Sequence, residues 1–243
     1  MNLQLSTWPD IKTYLERCDA ILIPIGSTEQ HGPTGLIGTD ALCPQRIAEG
    51  MAEDGVLVAP TLSIGMAQHH LGFPGSIALR PSTLIAVIDD VVSSLAATGF
   101  RRFLFLNGHG GNIATVQAAF SEIWARASHT GAPSPLSLKL VNWFMLPRVR
   151  ALSDELYGRA EGSHATPSEI SLTWFAHPEA AHSATLDPKI APDGPIRDAS
   201  DFRRRYPDGR CGSDPTLASI DHGRRLYEAS LDDLRTIWRD FTA

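Results

Sequence analysis

Along the chain, short and nearly unbroken apolar runs alternate with longer stretches whose apolar residues recur at helical spacing. Four runs, punctuated by Gly and Pro, read as strands: AILIPIG (20–26), VLVAPTLSIG (56–65), RFLFLNG (102–108) and LSLKLVNW (136–143). The first and third scarcely alternate between apolar and polar positions, which predicts strands buried on both faces. Residues 40–53, 81–99 and 112–128 predict helices; the second opens on Pro-Ser-Thr and closes on Gly99, as a helix should. Such alternation of strand and helix is the signature of an α/β fold with a largely parallel sheet covered on both faces. Residues 178–214 break the pattern with many Pro, Asp, Arg and Gly. They read as a long excursion within the same unit, so residues 1–243 are taken as one domain. The closing stretch, 217–241, is amphipathic, with Leu226, Leu231, Leu234, Ile237 and Trp238 on one helical face.

Composition narrows the partners. The 243 residues are 43% hydrophobic and 20% charged, with a formal net charge of -6, so one substantial core is expected. Nucleic acid is not, because a phosphate-binding face shows clustered Lys and Arg. The densest basic stretch, Arg203 to Arg205, has Asp201 and Asp208 close by, which fits a local ion-pair or interface role better. The first residues lack the basic and apolar regions of a signal peptide. No run approaches the roughly 18 to 20 apolar residues of a membrane span, so a soluble, cytoplasmic protein is the expectation. Cys18, Cys43 and Cys211 are widely spaced and odd in number, against a disulfide framework or a thiolate metal knuckle.

In a sheet of this kind ligands bind beyond the carboxyl ends of the strands, and the polar residues collect there. IPIGSTEQHG (23–32) leaves the first strand and sets Glu29 and His31 two positions apart. In extended backbone both then point at one spot, which suits a metal ion; a solvated turn is the competing reading. NGHGGN (107–112) leaves the third predicted strand and presents His109 on a glycine-rich turn that allows close approach to a ligand. Neither phosphate-binding glycine motif is present, so the metal reading gains. Asp40, in IGTDALCP, falls at a helix start, where an N-cap or first-turn role would explain it alone. With Glu29, His31 and His109 it completes two carboxylates and two imidazoles, a set that Zn²⁺, Mn²⁺ and Fe²⁺ accept. One bridging carboxylate would allow two ions roughly 3.5 to 4 Å apart. EGSHATPSEIS (161–171) adds His164 and Glu169, with Pro167 opening a helix. A solitary His or Glu in such a loop is more often solvated or capping; beside a metal each would matter. Ser27 lies in no nucleophile elbow, and Cys43 has no visible activation.

Together PIGSTEQHGPTGLIGTD, FPGSI, FLNGHGGN, GSHATPSEIS and GSDPTLASIDHGRRL resemble the creatininase (creatinine amidohydrolase) family over residues 22–226. The resemblance implies a three-layer α/β/α fold with a mainly parallel sheet, hydrolysis of amide-type C–N bonds at a dinuclear metal centre, and a homohexamer. It makes Glu29, His31, Asp40 and His109 metal ligands, with Asp40 the bridge. His164 becomes the histidine that handles protons, and Glu169 the remaining acidic ligand, close to the chemistry. The expected cofactors are two divalent ions, Zn²⁺ or Mn²⁺ with Fe²⁺ as a further option. A water bridged between them is the nucleophile, and His164 passes a proton to the departing nitrogen.

The sequence also departs from the family pattern. Thr166 and Pro167 replace the Gly and first Glu of the commoner His-Ala-Gly-Glu-x-Glu, and His69 stands where members often have Glu, while His70 matches the usual His. Gly110 and Gly111 take the place of a Tyr-Glu pair of creatinine-hydrolysing enzymes, which points away from creatinine toward another cyclic amide, a formamide or a related small molecule. Within the family, a creatinine-specific hydrolase remains an alternative, and deformylases of pterin or flavin precursors and peptide-trimming hydrolases share these motifs. A non-catalytic metal- or ligand-binding regulator on the same fold is the alternative of another class; retention of both His164 and Glu169 counts against it.

Overall fold

The computed structural model describes all 243 residues. In chain order its helices are α1 (Trp8–Leu15), α2 (Thr39–Glu53), α3 (Pro81–Ala97), α4 (Ile113–His129), α5 (Pro147–Leu156), α6 (Pro167–Ala176), α7 (Ala199–Arg205) and α8 (Ile220–Thr242). Strands β1 (Ala20–Ile25), β2 (Arg102–Asn107) and β3 (Ser137–Asn142) form one parallel sheet with β2 in the middle. Ile25 pairs with Asn107 and Asn107 with Asn142, so the three carboxyl ends are level.

Strand side chains alternate between two cores, as the pleat requires. Ile21, Ile23 and Ile25 of β1 and Phe103 and Phe105 of β2 pack with α3 and α4 on one face. Leu22, Leu104, Leu106 and Val141 pack on the other with α2, α5, α6 and α8. The fold is therefore the expected three-layer α/β/α, and the continuous apolar character of β1 and β2 reflects burial on both sides. Leu226, Leu231 and Leu234 of α8 are buried, with Ile237 and Trp238 packed at the margin of the same core.

The run 56–65 does not form the expected strand. It lies beside β1 and makes only isolated parallel bridges, Val58 with Leu22 and Leu62 with Ile25. Leu22 donates to the Leu57 carbonyl and accepts from Ala59, but Pro24 then accepts from Leu62 rather than from Thr61. Pro24 has no N–H to give this edge, so the pairing slips by one residue and the ladder breaks.

Three helices are absent from the hydrophobic pattern. α1 starts at a capping box between Thr7 and Asp10, α5 begins on Pro147, and α7 is a short, mostly charged helix capped by Asp198 within the excursion. Only Phe202, Tyr206 and Cys211 form a small cluster there, with Phe73 against it, so the excursion leans on the rest of the chain. Arg210 is fully buried and donates to the carbonyls of Pro188, Lys189 and Ser213. Arg204 and Arg205 pair with Asp201, the local role expected of that basic stretch. All three cysteines are free, and no helix is long and apolar enough to cross a membrane.

Candidate metal centre

Two glycines explain how Asp40 reaches the strand ends. A Cβ at Gly26, just after β1, or at Gly108, just after β2, would sit 2.0 Å from the Asp40 carbonyl oxygen. Without side chains there, the first turn of α2 settles directly on the carboxyl edge of the sheet. The Asp40 side chain makes no capping bond; instead it turns inward, where the positive end of the helix favours a carboxylate.

Its two oxygens face two different histidines. His31 Nε2 lies 3.1 Å from Asp40 Oδ1, and His109 Nδ1 lies 2.9 Å from Asp40 Oδ2. Each ring is held from behind by a backbone carbonyl: His31 Nδ1 is 3.0 Å from Glu29 O, and His109 Nε2 is 3.0 Å from Met66 O. Such contacts fix which nitrogen is presented to a metal. Asn107 braces the turn, accepting from the His109 amide and donating to the His109 carbonyl.

Glu29 is wholly buried among three imidazoles. Its Oε1 is 3.0 Å from His70 Nε2, 3.4 Å from His109 Nδ1 and 3.9 Å from His164 Nδ1. Despite these distances, neither Glu29 oxygen nor Asp40 Oδ2 has a hydrogen-bond partner. Buried carboxylate oxygens left this way are costly, and a divalent cation is the partner that would satisfy them. Besides Glu29 with His31 and His164, and Glu29 with His69 and His70, two groups of donor atoms share Asp40: Glu29 with Asp40 and His109, and His31 with Asp40 and Glu169. The donor chemistry thus fits divalent metal, and Asp40 is common to both groups.

The electrostatics follow from this crowding. Burial alone would lower the His31 imidazole, but Asp40, Glu169 and Glu29 overcome it and push it up to about 10. Burial likewise opposes protonation of His109, yet Glu29 and Asp40 raise it to about 9. Burial works against the charged form of Asp40, but His31 and His109 hold its carboxyl far below the ordinary range.

Glu169 has a double role. Its Oε1 accepts from the Thr166 amide, closing a capping box at the start of α6, and also lies 3.9 Å from His31 Nε2. The Thr166 and Pro167 substitutions therefore build the helix start that aims Glu169 inward. Ala165, between this box and His164, is buried with a φ of 54°, a strained value for a residue with a Cβ and of the kind found at functional sites.

All the site residues expected from sequence converge here: Glu29, His31, Asp40, His109, His164 and Glu169. Glu29 and His31 meet in one group with His164, as their spacing predicts, and each also joins a separate group that shares Asp40. His70 and Gln30 were given no role. Gln30 Oε1 accepts from the Gly32 amide and Nε2 donates to the Gly209 carbonyl, which settles its orientation. His164 Nε2 lies 2.8 Å from the Gln30 carbonyl, an acceptor only, so this nitrogen carries the hydrogen and Nδ1 is the free base. The second Gln30 hydrogen then goes to His70 Nδ1, 2.9 Å away, while His70 Nε2 lies 3.0 Å from Glu29 Oε1. Burial, with His70 and His31 nearby, holds the His164 imidazole well below its ordinary value. His69 stacks at 6.3 Å on His109, with burial and His70 lowering it to about 4.

Glu161, three residues before His164, offers a test outside the donor groups. Its Oε1 accepts from the Ser168 hydroxyl, Oε2 has no partner, and burial pushes the carboxyl from 4.5 up to about 7. The folded state then holds a proton that the unfolded state has lost, so stability falls as pH rises from about 4.5 to about 7. Glu161→Gln, which keeps the Ser168 acceptor, should flatten that fall and stabilise the protein above pH 7 by on the order of 2 kcal/mol. Denaturant unfolding at several pH values measures this; an unchanged slope would refute it.

An α/β/α fold whose strand ends gather buried carboxylates and imidazoles is the architecture of a metal-dependent hydrolase. The chain belongs to the creatininase family, amidohydrolases acting on C–N bonds: the family model described as creatinine amidohydrolase matches residues 4–237. The 3-dehydro-scyllo-inosose hydrolase of Thermotoga maritima is 30% identical to it over 98% of this chain and 82% of its own. The mycofactocin precursor peptide peptidase of Mycobacterium ulcerans is 29% identical over 94% and 84%. A solved mutant creatininase complexed with creatine matches the fold with a TM-score of 0.85 at 23% identity, over 98% of this chain and 97% of its own. A mutant creatininase of Zn–Zn type and a Mn creatininase each match with a TM-score of 0.81, at 22% and 24% identity, over 99% of this chain and 98% of theirs.

Proposed function

We propose that this chain is a dinuclear metal-dependent amidohydrolase that cleaves a C–N bond in a small cyclic amide, formamide or related molecule. Asp40 carries the reading: its two oxygens serve two histidines, 3.1 Å and 2.9 Å away, on opposite sides of one carboxylate. Glu29, His109 and Asp40 would hold one divalent ion, and His31, Glu169 and the other Asp40 oxygen the second. Zn²⁺ and Mn²⁺ are the ions of choice, from the mixed carboxylate and imidazole donors and from the metals named for the solved creatininases. Bound there, such ions lower the pKa of water toward about 7 and polarise an amide carbonyl.

The protein residues do the rest. His164 Nδ1, unprotonated and turned toward Glu29, accepts the proton that attacking water sheds, while the Gln30 carbonyl holds Nε2–H in place. The same Nδ1 then returns the proton to the departing nitrogen, which is too poor a leaving group as an anion. A homohexamer in the cytoplasm, by family resemblance and sequence character, completes the proposal.

Elemental analysis should find close to two transition-metal ions per chain. A panel of cyclic amides and formamides should be hydrolysed by the loaded protein and not after chelation. Failure to take up either Zn²⁺ or Mn²⁺ on reconstitution would overturn the proposal. Metal uptake without hydrolysis of any amide would favour the regulator.

A further inference from the structure

Against the outer side of the His31 segment lies a cavity of about 320 Å³ whose walls include Gln30, His31, Ile37, Phe73, Arg203 and Asp208. That is the size of a small-molecule subsite, and His31 forms part of its lining, so whatever fills it lies beside the proposed reaction site. Two charged side chains line it besides the histidine, and their states differ. Asp208 is already satisfied: Arg210 gives it a backbone amide, Nε and a terminal nitrogen, at 3.1, 2.9 and 2.7 Å. Arg203 is not. One terminal nitrogen donates to the Pro207 carbonyl at 3.0 Å, and no carboxylate lies within ion-pair distance, although its neighbours Arg204 and Arg205 both pair with Asp201.

Arg203 is nevertheless held in position. Its guanidinium carbon lies 4.2 Å from the centre of the Phe73 ring, and Phe73 packs edge-on against the buried Phe202 at 6.2 Å. An arginine stacked on a braced aromatic keeps its remaining N–H groups in a fixed plane at low entropic cost, the geometry that receives a carboxylate through two parallel hydrogen bonds.

We propose that Arg203 is a specificity-determining residue that binds a carboxylate on the substrate, which makes the substrate an amide with a carboxylate arm. The proposal rests on the amidohydrolase reading and deepens it. A phosphate would call for a second cation, and the only other ionisable groups of the lining are His31, assigned to the metals, and the compensated Asp208. The excursion 178–214 gains a purpose: it delivers α7, and with it Arg203, to the cavity beside His31.

N-acetylglycine and N-acetylglycinamide differ only in the carboxylate, and calorimetric binding of both to metal-loaded protein tests the proposal. The wild-type protein should bind the acid about tenfold more tightly than the amide. Arg203→Ala should erase that preference while leaving the metal content and the binding of the amide unchanged. Arg203→Lys, which keeps charge without the fork, should recover part of it. Equal binding by the wild type, a preference that survives in Arg203→Ala, or equal losses for both ligands would each overturn the proposal. Turnover of amides without acid preference would sink the Arg203 assignment alone. An Arg203-dependent preference without turnover of any amide would sink the amidohydrolase reading and leave the carboxylate site standing.

Discussion

Asp40→Ala should empty both metal positions, whereas His109→Ala should empty one. The geometry sets this difference: each oxygen of Asp40 serves a separate histidine, while His109 faces only the group that contains Glu29. Removing an outer-shell partner of a metal ligand typically costs 10- to 100-fold in affinity, so removal of a bridging ligand should cost more than about a hundredfold at both positions. Activity should fall with the second ion. Asp40 is the counter-ion of two buried imidazoles, so the alanine variant should be less stable than wild type without metal, and its fold is checked before metal is counted. Asp40→Asn, of the same shape, gives a second reading if the alanine variant is poorly soluble. Elemental analysis after dialysis measures the outcome; equal, single-site losses in Asp40→Ala and His109→Ala would argue against the bridge.

What the sequence made legible was local. β1 and β2 stand out because burial on both faces leaves no polar position in their middles, and the first polar residues after them must fall at the carboxyl edge of the sheet. Glu29, His31 and His109 were readable for that reason. Asp40 was readable as a helix-start acid, but nothing local says that Gly26 and Gly108 let its helix drop onto the strand ends. That is a contact between segments far apart in the chain.

The same limit explains what was missed. Gln30 sits between Glu29 and His31, where simple alternation would turn it away, yet the loop is not a regular strand and Gln30 reaches His70, His164 and Gly209. Its partner Gly209 has a φ of 88°, and a Cβ there would lie 1.8 Å from Gln30 Oε1. The excursion thus touches the centre through a glycine carbonyl and through Phe202, 4.6 Å from the His70 ring, and no periodicity signals either. The break in the run 56–65 had a visible ingredient, Pro24, but the partner it deprives depends on the pairing register, which the sequence alone does not fix.

His164→Ala should separate binding from chemistry. His164 is not among the three residues of either group that shares Asp40, and its Nε2 is committed to the Gln30 carbonyl, so its loss should leave both ions in place. Turnover should nevertheless fall by about 10² to 10⁴, the range that a positioned proton carrier supplies. The loss should shrink for amides whose departing nitrogen is more acidic, because such a group leaves with less help, and this dependence is the signature a merely structural residue would not give. His164→Gln, which can still donate to the Gln30 carbonyl but cannot carry a proton at neutral pH, should behave like the alanine variant. If either variant loses metal in proportion to activity, His164 is a ligand through Nδ1. The group it forms with Glu29 and His31 would then have to replace the division of labour drawn around Asp40.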